Sequence, residues 1–462
     1  MSAVTSVVVT ALALTALLVA GLSLRGVARV FVVAQVAYWS LSYVARPVVL
    51  LWVLPEPQFA DSLADPRLAT MGYDKGIAEV LKPVMFGLWF YVALVVAYVL
   101  WQRSRNVVPR SPLAPTADPD FFRGLAVVYV MGLGGRFVSW ATGSAGSAGE
   151  VTSANPFLDF AATMATVGAL GLIVFARPAT WQRTTILLGF LLGMELVWTV
   201  IVESKTPVMG AALAVAVRFA FIGWTRRTVL GVAGISVTAI GAFGLLQALK
   251  VDPETEAISA LAEASYPPAV QPFLPILRRF DLLEAATDAY FMNGREWISH
   301  LDVVRNAVLN FIPSQILGAE KFQSGTAWAQ QVRGSSVDMR TVSVSLAEGN
   351  ISEGFVLGGY AGVAVSMTFT FVMVLITVRM LTARHFVLVV LGLTLIEYPV
   401  LFERGILGTT ESLGKSLQLA ILVWIVTLVV GEYGRQSRAI PPPTTFDYPD
   451  IDSRRKGSPS WV

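Results

Sequence analysis

Long apolar stretches separated by short polar connections dominate the pattern along the chain. Crossing about 30 Å of hydrocarbon needs about 20 helical residues. Eleven stretches meet or approach that length: residues 3–22, 30–54, 83–101, 122–140, 156–176, 184–202, 207–223, 228–249, 355–378, 385–402 and 415–431. The pattern therefore predicts an all-α, polytopic transmembrane helix bundle of about 11 spans.

Composition agrees with this pattern. Hydrophobic residues make up 55% of the 462-residue chain and charged residues only 14%, whereas soluble domains carry about 25% charged residues. There is no cysteine, which excludes disulfides, thiolate metal sites and thiol catalysis. The two histidines, His300 and His385, are far apart in the sequence, which argues against a multi-histidine metal site.

Positive charges in the short connections predict the orientation, because cytoplasmic loops are enriched in Lys and Arg. One alternate set of connections holds most of these cations: Arg25, Arg29, Arg103, Arg105, Arg110, Arg177, Arg183, Arg226, Arg227, Arg379, Arg384 and Arg435. The N-terminus is therefore predicted outside and the C-terminus inside. No Lys or Arg precedes the first stretch, so we expect a retained helix and not a signal peptide.

One long segment, residues 250–354, contains no spanning stretch and is predicted to form a large extracytoplasmic helical loop domain. Such long connections are usually functional. The predicted organisation is then residues 1–249 as transmembrane helices 1–8, 250–354 as the loop domain, 355–431 as helices 9–11, and 432–462 as a disordered cytoplasmic tail with three consecutive prolines.

Within the loop domain, residues 295–312 have apolar positions at helical spacing: Trp297, Leu301, Val304 and Val308. Asp302 and Arg305 fall off this stripe. Such a helix is expected either to lie on the membrane surface with its apolar side down or to belong to a small cap packed on the bundle. Residues 323–350 are rich in Ser, Gly and Thr and are predicted to form a flexible loop over a site.

Ionisable residues inside spanning helices are candidates for function because they are costly in lipid. The candidates are Arg46, Arg136, Glu195, Glu203, Lys205, Glu397, Glu403 and Arg404. Internal ion pairs or snorkelling to the interface would explain them equally well. Several fall in the predicted outer half. An outward-facing arginine cluster there suits a lipid-linked phosphate or diphosphate, because guanidinium donates two parallel hydrogen bonds.

Several motifs are missing from the sequence. It contains no P-loop, no Gly-x-Ser-x-Gly elbow and no HExxH helix, which disfavours ATP-driven transport and the hydrolases that use those motifs. Asp-x-Asp occurs only at 118–120 and 450–452, on the predicted cytoplasmic side. An outer metal–nucleotide site is therefore not expected.

The arrangement resembles the Wzy-type polymerases of O-antigen and oligosaccharide repeat units, which are multi-helix membrane glycosyltransferases with a large external loop late in the chain. Two local stretches carry the resemblance. Residues 203–209 are similar to a Ser-Lys segment that opens a mid-chain helix in that family. The second begins with a proline segment at 311–314 and Lys321, and closes with Glu348, Glu353 and the glycines of 354–362.

The resemblance implies a bacterial cytoplasmic membrane protein of cell-envelope polysaccharide biosynthesis. A growing glycan on polyprenyl diphosphate would be transferred to a lipid-linked repeat unit on the outer face. It implies no cofactor, no metal, no nucleotide sugar and no nucleic acid partner. The implied partners are the polyprenyl-diphosphate-linked oligosaccharide, membrane lipid, a flippase and chain-length regulator proteins.

The acceptor hydroxyl needs a general base, for which Glu348 and Glu353 are candidates. The cations expected to bind substrate are Arg305, Arg340, Arg333, Lys321, Lys205, Arg136 and Arg46. Glu353 would also suit a simple capping role at a helix N-terminus. Gly358, Gly359 and Gly362 favour close helix packing.

Two other functions remain open: a transporter or flippase of lipid-linked glycans, and a ligase that moves a finished glycan to another acceptor. The charged external segment favours an enzyme. A transporter is expected to place charges near the midplane on broken helices. The sequence does not separate polymerase from ligase.

Overall fold

The computed structural model describes residues 1–58, 61, 63–106, 108, 110–117, 120–144, 156–202, 204, 206–226, 228–232, 234, 263–292, 297–312, 317, 321–334, 348–397 and 403–439. Within these ranges the regular structure is entirely helical. This confirms the predicted all-α class.

The first half of the chain forms α1 (Ala3–Ser23), α2 (Val27–Ser40), α3 (Arg46–Val53), α4 (Pro66–Met71), α5 (Tyr73–Ser104), α6 (Ala114–Ala117), α7 (Phe121–Ala141), α8 (Pro156–Phe175), α9 (Trp181–Val202) and α10 (Thr206–Ile222). A π-helical turn, Leu41–Ala45, joins α2 to α3 without breaking the rod. Pro47 follows directly at the start of α3.

The second half forms α11 (Leu274–Arg279), α12 (Leu282–Phe291), α13 (His300–Leu309), α14 (Ser324–Ala327), α15 (Asn350–Leu381), α16 (Phe386–Glu397) and α17 (Ile406–Ala439). A 3₁₀ turn, Gln271–Phe273, precedes α11, and a π-helical turn, Trp328–Val332, follows α14. The described part of the segment 250–354, for which we keep the name loop domain, is therefore partly helical, although α13 is shorter than the predicted 295–312 helix. Residues 323–334, predicted as flexible loop, contain α14.

Six helices in the described residues are long and apolar enough to cross a membrane: α1, the α2–α3 rod, α5, α7, α9 and α15. This fits a helical membrane protein. The predicted spans 156–176, 207–223 and 385–402 coincide with α8, α10 and α16, whose apolar parts are shorter. The span 415–431 lies within α17, which continues through residues 432–439 of the predicted tail. The span 228–249 falls largely outside the described residues.

Small residues bring α7 and α8 into close contact. A Cβ on Gly132 would lie 1.9 Å from the Ala165 backbone nitrogen, and one on Gly168 would lie 2.7 Å from the Tyr129 backbone. Small residues let helix backbones approach in this way where lipid supplies no hydrophobic driving force between helices. The contact holds α7 and α8 together.

The N-terminal part of α15 folds back on the rest of the helix. Gly358 and Gly359 depart from helical geometry, and Gly359 has a φ of 57° that favours glycine. The Asn350 amide donates to the Thr370 hydroxyl at 2.9 Å, although a continuous helix would separate these residues by about 30 Å. Residues 350–357 and 360–381 therefore form a helical hairpin.

Glycines permit this hairpin. A Cβ on Gly362 would lie 2.0 Å from the Gly354 carbonyl oxygen, and a Cβ on Gly354 would lie 2.7 Å from that of Gly362. The expected close packing is thus confirmed for Gly362, whereas Gly358 and Gly359 form the turn. The sequence placed an uninterrupted span at 355–378. The glycine pair instead interrupts it and leaves 360–381 as the long segment.

The connection between α3 and α5 contacts the loop domain. Tyr266 donates to Asp61 at 2.7 Å. Arg278 lies 3.6 Å from Asp61 and 2.8 Å from Glu263. The alternation of predicted spans puts both connections on the same side of the membrane, and their contact agrees with that alternation.

Candidate functional site

Arg333 lies at the centre of a network of charges where the loop domain meets the first helices. Its Nη1 is 2.9 Å from Glu284 Oε1, and its Nε donates to Asp288 Oδ2 at 2.9 Å. The Trp328 indole also donates to Asp288, at 3.1 Å. Asp288 and Trp328 are fully buried, so the carboxylate is satisfied by hydrogen bonds as buried charges require.

The network continues on both sides of Arg333. Arg67 Nη2 lies 2.6 Å from Asp288 and 2.7 Å from Asp65. Arg46 Nη2 lies 3.6 Å from Glu284 and donates to the Leu63 carbonyl at 3.3 Å. We call Arg46, Arg67, Arg333, Asp65, Glu284 and Asp288 the arginine network. Its three positive and three negative side chains give the network a formal net charge of zero.

The electrostatics of the arginine network follow from burial and pairing. Burial opposes ionisation of Asp65, but the hydrogen bonds and charge of Arg67 hold the pKa of Asp65 below its ordinary value. Burial raises the pKa of Glu284, against the opposing charges of Arg333 and Arg46. The structure thus brings together two predicted substrate-binding residues, Arg46 and Arg333, on one carboxylate.

Glu353 lies on the short arm of the α15 hairpin and faces the start of α17. Its Oε1 accepts the backbone N–H of Leu407 at 3.1 Å. A Cβ on Gly405 would lie 2.0 Å from its Oε2, so only glycine fits there. A carboxylate at a helix N-terminus is favoured by unpaired N–H groups and the helix dipole. Glu353 therefore caps α17, whereas the capping expected from the sequence was at its own helix.

Glu348 lies just before α15 and is also fully buried. Its carboxylate oxygens are shielded from solvent and lie close to the Ser324 side chain. Burial raises the pKa of Glu348, against the opposing charge of Arg404, and Ser324 and Glu411 also interact with it. Glu348 and Glu353 interact electrostatically with each other. We call Glu348, Glu353, Arg404, Glu411 and Ser324 the α15–α17 site.

Contacts with α2 fix the α15–α17 site from the other side. The Tyr38 hydroxyl donates to Glu403 Oε1 in a short hydrogen bond. The Gly349 N–H donates to the Glu403 carbonyl at 2.9 Å. Gly349 and Glu403, which adjoin Glu348 and Arg404 in the sequence, are therefore joined by a backbone hydrogen bond. Such support is what a preorganised catalytic group needs.

Arg136 makes a bidentate ion pair with Glu195. Both hydrogen bonds measure 2.9 Å, and the Thr166 hydroxyl lies 2.6 Å from Arg136 Nη2. The guanidinium also stacks 5.0 Å from the Trp198 ring centroid. The structure thus shows the internal ion pair that the sequence analysis gave as one explanation for a charge in this helix. Arg136 lies in the α7–α9 region, and its predicted role in substrate binding remains a prediction.

Arg218 explains the charge in the short seventh span. Its Nη1 donates to the carbonyls of Ile173 and Ala176, at 2.8 and 2.5 Å. A cation at these last carbonyls of α8 is favourable because they have no helical partner. This arginine is therefore part of the helix packing.

The remaining predicted cations occupy different places. Lys321 donates to the Asn310 carbonyl at 3.0 Å. Burial lowers its pKa, as does the charge of Lys415, whereas Glu411 raises it. Through Glu411, Lys321 is linked to the α15–α17 site. Arg305 lies exposed on α13. Arg340 and Lys205 lie outside the described residues.

Sequence reasoning missed Arg67, Asp288 and Tyr38. The signal for Arg67 was present: Asp65 followed by Pro66 is a typical helix start, with a capping side chain before proline at the first position. That signal predicts α4 but not its partners. The contacts of Asp288 and Tyr38 join residues 221 and 365 positions apart, and no local pattern predicts such pairs.

No family model, curated protein or solved structure matches this chain.

Proposed function

We propose that this chain is a membrane glycosyltransferase that polymerises polyprenyl-diphosphate-linked oligosaccharide repeat units on the outer face of the bacterial cytoplasmic membrane. The observation that supports the proposal most is Glu348, a fully buried carboxylate within reach of the positive charge of Arg404. Burial raises its pKa. A carboxylate whose pKa approaches the working pH is suited to general base catalysis.

The reaction assigns a role to each group. The acceptor sugar hydroxyl attacks C1 of the donor sugar, and Glu348 takes the hydroxyl proton as the new glycosidic bond forms. The bond between C1 and the phosphate oxygen breaks, and polyprenyl diphosphate leaves with the electron pair. Arg404 supplies positive charge near Glu348, and Lys321 lies near Glu411, which also interacts with Glu348. Fixed cations stabilise the negative charge that develops on a leaving diphosphate.

Glu353 has a different role in this proposal. Because its Oε1 is bound to the start of α17, it positions the two chain segments that carry Glu348 and Arg404. The arginine network likewise holds the loop domain to α3 and α4. Its arginines are neutralised by their own carboxylates, so they would bind substrate phosphate only by exchanging those partners.

The test is deletion of the gene in the organism that carries it, followed by gel analysis of surface glycans. Loss of a polymerase leaves single repeat units attached at the surface. Loss of a ligase leaves long lipid-linked chains unattached. Unchanged glycans would contradict the proposal.

A transporter of lipid-linked glycans is the second candidate, because α15 is broken at Gly358 and Gly359. Broken helices that carry charges are typical of transporter sites, and Glu353 lies on the short arm of this one. The same deletion separates the two functions, since loss of a flippase traps repeat units on the cytoplasmic face.

A further inference from the structure

The helix α13 exposes a stripe of large apolar side chains. Leu301 is 77% exposed, Val304 60% and Val308 58%, and Phe311 directly after the helix is 41% exposed. Positions separated by three and four residues share one face of a helix. A contiguous exposed apolar face on a protein usually marks a contact with another apolar phase.

The two ends of α13 lie close to α17 and to the turn of the α15 hairpin. A Cβ on Gly414 of α17 would lie 2.0 Å from the Asn310 carbonyl oxygen, so the end of α13 touches α17 directly. At the other end, His300 Nε2 lies 3.9 Å from the Cβ position of Gly358, in the turn of the α15 hairpin. The helix start is fixed by Ser299, which accepts the N–H of Asp302.

The helices that support α13 expose side chains of the same kind. Val365 on α15 is exposed, as are Trp424 and Leu428 on α17. The helix α15 is long and apolar enough to cross a membrane, and in a membrane its exposed apolar side chains would face lipid. Because α13 lies close to both helices, its stripe would continue that apolar surface beyond the spanning segments.

A cation borders the stripe. Arg305 follows Leu301 by four residues, lies next to Val304, and is exposed. Among the described residues it has no carboxylate within ion-pair distance. An arginine at the edge of a buried apolar face reaches the headgroup region while its stem remains in the apolar layer. Guanidinium is suited to the phosphate found there.

We propose that α13 is a membrane-surface helix whose Leu301, Val304 and Val308 insert among the acyl chains of bilayer phospholipids while Arg305 binds an anionic headgroup. It would hold the loop domain, including Lys321 beside Asn310, at a fixed height over the bilayer. This proposal concerns bilayer phospholipid and is independent of the glycan chemistry.

The absence of cysteine makes a direct test possible with the full chain. Single-cysteine variants at Leu301, Val308, Asp302 and Asn306 are labelled with bimane and reconstituted in phosphatidylcholine vesicles that contain a doxyl-lipid quencher. Labels at Leu301 and Val308 should be quenched at least about twofold more by the doxyl lipid than labels at Asp302 and Asn306. Iodide in the buffer should give the reverse order.

Equal quenching at the four positions, or stronger iodide quenching at Leu301 and Val308, would overturn the proposal. So would protection of those two labels from both quenchers, because it would indicate a protein contact. Each outcome is a fluorescence measurement on the full chain in vesicles and does not depend on catalytic activity.

The role of Arg305 is tested by adding phosphatidylglycerol. With 30% phosphatidylglycerol, doxyl quenching at Leu301 should rise in the parent variant, and Arg305→Glu should abolish the rise. Arg123→Glu is the matched control, since Arg123 is exposed on α7, far from α13 in the sequence, and it should keep the rise. A rise that survives Arg305→Glu would refute the headgroup contact.

Discussion

Glu353 accepts a hydrogen bond from the start of α17, the helix that follows α16 in the sequence. Its Oε1 accepts the Leu407 N–H at 3.1 Å, although the two residues are 54 positions apart in the sequence. Because Glu353 belongs to the short arm of the α15 hairpin, this one bond joins the hairpin to the start of α17. Glu348 and Arg404, the two groups most important for the proposed reaction, lie shortly before Glu353 and Leu407 in the sequence.

The first prediction concerns this cap. Glu353→Ala should lower the free energy of unfolding by about 1–2 kcal/mol, the usual loss for an N-terminal cap. Glu353→Gln should lose less, because its carbonyl oxygen can still accept the Leu407 N–H. Thermal unfolding of the purified full chain in detergent measures the difference. Equal losses for the two variants would contradict the capping role.

The second prediction concerns the α15 hairpin. Gly362→Ala should reduce the yield of folded protein and lower its unfolding midpoint, because the new Cβ would lie 2.0 Å from the Gly354 carbonyl oxygen. Gly134→Ala is the control: it is also in a helix, and its Cβ would have no neighbour within 4 Å. Size-exclusion profiles and unfolding midpoints of both variants give the comparison. If both alanines behave alike, the close approach of residues 354 and 362 is wrong.

The third prediction separates structure from substrate binding at Arg136. Removing one partner of a buried ion pair costs about 3–5 kcal/mol, whereas replacing both by apolar groups is often much less harmful. Arg136→Leu and Glu195→Leu should therefore each destabilise the chain strongly, and the double variant should recover part of the loss. Stability is measured by thermal unfolding, and strictly additive losses would argue against the pair.

The double variant also tests the earlier prediction of a phosphate-binding role for Arg136. Elongation that persists in a folded double variant would restrict Arg136 to a structural role. Elongation lost from a folded double variant would support contact with substrate.

The fourth prediction concerns pH. Because burial raises the pKa of Glu348 above its ordinary value of 4.5, the base is protonated and inactive at acid pH. The rate should increase as the pH rises through this raised pKa, with its acid limb above 4.5. The sign for stability is opposite, since a raised folded-state pKa contributes stability that is lost as the pH rises through it. A rate independent of pH over this range would exclude Glu348 as the base.

Much of the fold was predictable from apolar run length, because a spanning helix is a local property of about 20 residues. Helices α1, α7 and α9 match their predicted spans closely, whereas α5 contains its predicted span 83–101 but begins at Tyr73. The break in α15 was not predicted, because Gly354 and Gly362 act through a contact that only the folded hairpin creates. The end of α17 was placed too early, since polar residues after 432 can continue a helix beyond the membrane.

The candidate site was predictable in type but not in detail. Glu348 and Glu353 stood out as carboxylates beside a helix entry, and Arg46, Arg136 and Arg333 as cations. Which charges pair is decided by tertiary contacts: Arg136 with Glu195, Arg46 and Arg333 with Glu284. An arginine that the sequence suggests for substrate binding is already neutralised when it forms an ion pair within the protein. Lys321 and Arg305 are in no ion pair among the described residues.

The most direct measurement is polymerisation by the purified full chain in vesicles. Lipid-linked repeat units are supplied on the outer side, and products are separated by size. We expect a ladder of lengthened chains with the wild type and no ladder with folded Glu348→Gln. The control Glu79→Gln should leave the ladder unchanged, because among the ion pairs of the described residues the Glu79 carboxylate is paired only with Lys82. No ladder from the wild type, or an equal ladder from Glu348→Gln, would contradict the proposed function.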